Sequence, residues 1–209
     1  MLARYAKAFF TRLFTPIAKG LLALGIGPDV VTWIGTLGVA AAAFTFYPRG
    51  KFFIGTVVIT LFVFSDTLDG TMARLGGRSS RWGAFLDSTL DRVADASVFA
   101  GLLLWFAGPD HNVWMITVTL ICLIGGVVVS YAKARAEGLG LEANVGIAER
   151  SERMVTALVA TGLSGLFNQP WIQRVALTAL AAATLITVGQ RMVTVYRQAS
   201  ADEPTGPPT

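Results

Sequence analysis

The chain has 209 residues, of which 54% are hydrophobic and 14% charged, with a mean hydropathy of +0.60 and a formal net charge of +4. Soluble domains carry about 25% charged residues, so so few charges exclude a water-soluble domain and leave lipid as the natural solvent. The single Cys122, in an apolar run, excludes an internal disulfide.

Residues 1–19 place Phe9, Phe10, Leu13, Phe14 and Ile17 at helical spacing among Arg4, Lys7, Arg12 and Lys19. That pattern predicts a basic amphipathic helix lying in the membrane interface. Six apolar spans follow at 30–47, 52–74, 82–107, 113–134, 153–168 and 171–195, each near the roughly 20 residues that cross a bilayer. Breakers separate them: Tyr47-Pro48-Arg49-Gly50, Gly76-Gly77, Gly108-Pro109-Asp110 and Asn168-Gln169-Pro170. The polar, Pro-rich end of the chain reads as disordered. The expected fold class is all-α, a polytopic membrane protein with six transmembrane helices. Its parts would be the amphipathic helix 1–19, a six-helix domain 20–198 and a tail 199–209.

Lys and Arg set the orientation. With the N-terminus in the cytoplasm, 14 of the 17 basic residues fall on the cytoplasmic side, leaving only Arg49, Lys51 and Arg174 outside. Both termini are therefore expected in the cytoplasm.

Spans two and three hold five of the thirteen acids: Asp66, Asp69, Asp87, Asp91 and Asp95. A carboxylate in a membrane span costs several kcal/mol unless paired, solvated or metal-bound. Asp66 and Asp69 are i, i+3 and share one helix face; Asp87 and Asp91 are i, i+4 and share another. A short connection makes the two helices antiparallel neighbours, so four carboxylates converge. All-oxygen ligation with no His or Cys suits Mg²⁺, Mn²⁺ or Ca²⁺ rather than zinc. Gly70, Ala73 and Gly83 leave room for a flat ligand, and Arg74, one turn after Gly70, can pair with a phosphate. Structural salt bridges to Arg74, Arg78, Arg81 and Arg92 are the alternative use of these acids.

The order Asp66, Asp69, Gly70, Ala73, Arg74, then eight residues to Gly83, Asp87 and Asp91 resembles the signature of the CDP-alcohol phosphotransferase family without a gap. Eight fixed positions across 26 residues make it specific, and six helices extend the resemblance over most of the chain. The resemblance implies a homodimer in the plasma membrane, a cytoplasmic active site and CMP as leaving group. It implies two Mg²⁺ ions, replaceable by Mn²⁺, on Asp66, Asp69, Asp87 and Asp91, with Asp91 also the general base. Gly70, Ala73, Arg74, Ser80 and Gly83 would contact CDP-diacylglycerol. So would Asp29, Val30, Val31 and Thr32, whose segment resembles a family element and also reads as a plain helix start.

A second basic cluster bears on the acceptor: Ser130, Lys133 and Arg135, then Arg150 and Arg153, then Arg191. An acceptor with its own phosphate would need it, although ordinary positive-inside charge would look the same. The runs SYAKARAEGLG and GIAERSER resemble family members that take inositol phosphate, with glycerol phosphate the alternative acceptor. A small transporter is a remote alternative, since transport needs no fixed run of this kind. No nucleic-acid partner is expected.

Overall fold

In the computed structural model, residues 15–76 and 80–202 are described, except for the side chains of Asp66, Thr67 and Asp202. Among the described residues all regular structure is helical. Residues 15–23 are helical; the remainder of the expected interfacial helix lies outside the described residues.

Helix α1 spans Pro28–Phe46, with Gly27 as N-cap, Pro28 at its start and Asp29 in the first turn, where an acid complements the helix dipole. It ends in a 3₁₀ turn, Tyr47–Arg49, closed by Gly50 at φ 67°, a left-handed conformation that glycine adopts without penalty. The second expected span is two helices, α2 (Phe52–Val63) and α3 (Ser65–Leu75). Phe64 interrupts them, and the Ser65 hydroxyl donates to the Phe62 carbonyl at 2.6 Å. Such side-chain bonding to the helix carbonyls competes with the backbone ladder and bends helices. Gly35 and Gly38 on α1 face this break: a Cβ at either would run into Ser65 or Phe62. Apolar burial drives little helix association in lipid, so such close approach between small residues is what packs spans together.

Helix α4 covers Arg81–Ala107. Ser80 caps it, its Oγ accepting the Gly83 N–H at 2.9 Å. Gly101 lies against Ala43 of α1, where an added Cβ would come within 2.6 Å of the Ala43 carbonyl oxygen. Helix α5 covers Val113–Glu137, capped by Asn112, whose side chain accepts from Met115 N. Gly140 ends that segment at φ 75°, with Leu141 N–H returning to the Ala136 carbonyl. Helix α6 covers Arg150–Phe167 and stops at Asn168 in the left-handed region. Helix α7, Pro170–Asp202, packs on both α5 and α6. It runs past 198, so the expected tail boundary at 199 shifts: residues 199–202 are helical.

The chain forms two compact units, Met1–Leu102 and Leu103–Thr209. Among the described residues, four stretches are long and apolar enough to cross a membrane: Pro28–Arg49, Phe52–Leu75, Val113–Glu137 and Pro170–Ala201. Only 19–39% of each is buried by protein, and residues such as Leu61, Val113 and Trp114 stand well exposed. Apolar surface on that scale requires a lipid cover, which makes this a membrane protein. The early turns of α4 and α6 are charged, with Asp87, Asp91, Arg92 and Asp95 in one and Arg150, Glu152 and Arg153 in the other, so neither stands with the four as an apolar span.

Candidate active site

In the first unit, an apolar cluster orients α3. Met72 is fully buried with Ala18 and Val31, and Leu21, Leu22, Ile26 and Leu68 pack around them. Anchoring Leu68 and Met72 on that side turns Asp69, Gly70 and Ala73 toward a cavity of about 260 Å³. Helix α1 contributes Pro28, Asp29 and Thr32 to its wall; α4 and its cap contribute Ser80, Gly83, Ala84 and Asp87.

The cavity is polar where the signature residues lie. Asp69 is buried, and the Thr32 hydroxyl donates to its Oδ2 at 2.7 Å, with Pro28 O at 3.1 Å as a second acceptor. Asp87 faces the cavity from α4 and remains exposed. Gly70 has only the Arg74 guanidinium, at 4.0 Å, near the position of a Cβ, and Gly83 has Ser80 and Asp29. The glycines thus keep open a space bounded by carboxylates and hydroxyls.

The structure brings together Asp29, Thr32, Asp69, Gly70, Ala73, Ser80, Gly83 and Asp87. It does not bring Val30, Val31 or Arg74 to the cavity wall. Val30 is about half exposed, Val31 packs into the apolar cluster, and Arg74 is exposed beside Gly70, its Nη2 donating to Thr71 at 3.1 Å. Asp66 occupies the first turn of α3. Asp91 sits one turn beyond Asp87 on α4, partly buried. Pro28, which opens the same segment as Asp29 and Thr32, also lines the wall, as does Ala84, which carries no chemistry that spacing would single out.

Among the described residues no three acid, His or Cys side chains gather closely enough to form a metal site. The donor set nonetheless fits a hard divalent cation: Asp69 and Asp87 line one cavity from two helices, with only oxygen donors beside them.

In the second unit, three of the expected acceptor residues converge on one turn of α5. The Ser130 hydroxyl donates to the Gly126 carbonyl at 3.0 Å. The buried Arg153 guanidinium lies over Gly126, where an added Cβ would sit 2.9 Å from Nε and 3.0 Å from Cζ. Arg191, also buried, donates through Nη1 to the Val129 carbonyl and through Nε to the Val145 carbonyl at 2.9 Å, with Nη2 4.0 Å from Glu149. Lys133 stands apart, 3.9 Å from Glu137, and Arg135 is exposed.

A helical membrane chain whose facing helices carry this aspartate set is an enzyme of the CDP-alcohol phosphatidyltransferase family: the family pattern matches residues 26–190, and the chain belongs to it. The chain is 56% identical to the phosphatidylinositol phosphate synthase of Streptomyces avermitilis over 212 residues, covering 98% of this chain and 87% of the relative. It is 46% identical to that of Cutibacterium acnes over 198 residues, covering 91% and 96%. The crystal structure of the Mycobacterium tuberculosis phosphatidylinositol phosphate synthase with CDP-diacylglycerol bound superposes with a TM-score of 0.87 at 44% identity, covering 94% of this chain and all of the other. The same enzyme in complex with manganese and citrate gives 0.87 at 44%, covering 92% and 93%.

Proposed function

We propose that this chain is a phosphatidylinositol phosphate synthase, transferring the phosphatidyl group of CDP-diacylglycerol to a hydroxyl of inositol phosphate and releasing CMP. One observation carries the reading. The cavity between α1, α3 and α4 is walled by signature residues in a chain 46–56% identical to enzymes of that name.

Asp66, Asp69, Asp87 and Asp91 would hold two Mg²⁺ ions, with Mn²⁺ able to replace them. When bound, divalent ions neutralise a diphosphate and stabilise charge on the entering and leaving oxygens. The chain's own groups do the rest. Gly70, Ala73 and Gly83 leave space for the cytidine part, and Asp29, Thr32 and Ser80 offer it hydrogen-bonding groups. Val31 packs behind that wall, Val30 beside it would contact the donor, and Arg74 pairs with the diphosphate by exchanging its Thr71 contact for a phosphate. Asp91 takes the proton from the acceptor hydroxyl. The freed oxygen forms a bond to the phosphorus that bears diacylglycerol, and the bond from that phosphorus to CMP breaks.

The acceptor's phosphate carries close to two negative charges near neutral pH. Arg153, Arg191 and Ser130 hold it, with Lys133 and Arg135 adding positive charge along α5. Glycerol phosphate presents the same phosphate and is the alternative acceptor.

In the cell the enzyme is a homodimer in the plasma membrane. Six spans, including α4 and α6, cross it, the site and both termini are cytoplasmic, and an N-terminal amphipathic helix lies in the interface. Purified protein supplied with CDP-diacylglycerol and inositol phosphate should release CMP and form phosphatidylinositol phosphate; no CMP with that acceptor overturns the assignment.

A further inference from the structure

One face of α7 grips the segment between α5 and α6. Thr187, fully buried, accepts the Ile147 N–H at 3.2 Å and the Ala148 N–H at 3.0 Å on its Oγ1, while its hydroxyl proton goes to the Ala183 carbonyl at 2.9 Å. Four residues along, Arg191 donates to the Val145 carbonyl. Seven further, Gln198 exchanges two hydrogen bonds with the backbone of Glu142, at 2.9 and 2.6 Å. Positions 187, 191 and 198 lie on one helical face. Gly146 is pressed onto Thr187 at φ 144°, where any Cβ would collide with the threonine side chain.

The two amides that Thr187 takes belong to the last residues before Glu149, the N-cap of α6. Helix α6 then presents Arg153 in its first turn. A buried segment must place each backbone N–H on an acceptor, and Ala148 is buried. Thr187 supplies that acceptor from a different helix, so it fixes where α6 begins.

We infer that Thr187 is a positioning residue for the acceptor subsite, setting Arg153 through the amides of Ile147 and Ala148. The inference rests on the proposed acceptor role of Arg153. Thr187 touches no substrate in this scheme; it acts through the start of α6.

The test uses purified full-length protein, CDP-diacylglycerol and whichever phosphorylated acceptor the wild type turns over. The wild-type acceptor choice judges the proposed function separately from Thr187. Thr187→Val keeps the shape and loses the hydroxyl. It should raise the acceptor KM about tenfold, as expected when one or two hydrogen bonds that fix a site are lost, with kcat and the KM for CDP-diacylglycerol within about twofold. Thr187→Ser should restore the acceptor KM. Hydrogen exchange across 145–149 should quicken in Thr187→Val and recover in Thr187→Ser. If the valine variant does not fold, Thr187→Cys, whose thiol is a weak acceptor, takes its place with the same expectation. An unchanged acceptor KM, an equal rise in both KM values, or no recovery with serine would overturn the inference.

Discussion

Thr32 donates its hydroxyl to Asp69 Oδ2 at 2.7 Å, joining the second turn of α1 to the carboxylate of α3 across 37 residues of sequence. The bond holds a buried carboxylate in one rotamer. Groups that orient a metal ligand commonly matter to affinity by about 10–100-fold. Thr32→Val should therefore raise the Mn²⁺ concentration for half-maximal activity by about tenfold, and Mn²⁺ titrated by electron paramagnetic resonance should show the same weakening. Thr32→Ser should keep wild-type affinity. Unchanged Mn²⁺ binding in the valine variant would detach Thr32 from the ion site.

Asp91 is the proposed base. Asp91→Asn keeps the size and removes the charge, so CMP release should fall by at least ~10²-fold, the lower range for a lost general base. CDP-diacylglycerol binding should suffer less, because Asp66, Asp69 and Asp87 remain. Normal turnover would move the base role to Asp87.

Gly126 gives Arg153 its seat. A Cβ there would stand 2.9–3.2 Å from three atoms of the guanidinium, the movable end of a side chain, so Gly126→Ala should displace the arginine without unfolding the protein. Charge-assisted hydrogen bonds contribute about 1.5–3 kcal/mol each. The acceptor KM should rise by about tenfold or more, as it should for Arg153→Ala, with the donor KM steady. Equal acceptor kinetics in Gly126→Ala and wild type would argue that Arg153 binds no phosphate.

Asp110 and Arg174 pair at 2.8 Å, tying the loop before α5 to the second turn of α7. Asp110 Oδ2 and Arg174 Nε are buried with no hydrogen-bond partner, so the pair is incompletely satisfied, and the arginine side chain is 42% exposed. The net contribution should be small: Asp110→Ala should destabilise by about 1 kcal/mol, read as a modest fall in Tm. A loss of several kcal/mol would mean that the ion pair is far better shielded than its exposure implies.

The aspartate signature was legible because its chemistry forces its spacing: Asp66 with Asp69 and Asp87 with Asp91 must each share a helix face. The break at Phe64 was not. Residues 56–65 contain no Gly or Pro, and the interruption comes from Ser65 bonding back to Phe62 and from the crossing at Gly35. Val31 was misleading for a related reason. It belongs to a segment that resembles a family element, but its helical phase turns it toward Ala18 and Met72. Arg191 stood out as a member of the second basic cluster, but its two bonds to carbonyls depend on where Val129 and Val145 arrive in space. Thr187 was invisible for the same reason, since one threonine in an apolar helix gives no hint that it accepts amides from another segment.

The most direct measurement gives purified enzyme CDP-diacylglycerol and Mg²⁺, then offers inositol phosphate, glycerol phosphate, free inositol and serine separately, following CMP release with and without EDTA. Inositol phosphate should support by far the fastest release, free inositol and serine should support little, and EDTA should abolish all of it until Mg²⁺ or Mn²⁺ is restored. Preference for glycerol phosphate, equal rates with free inositol, or full activity in the chelator would contradict the assignment.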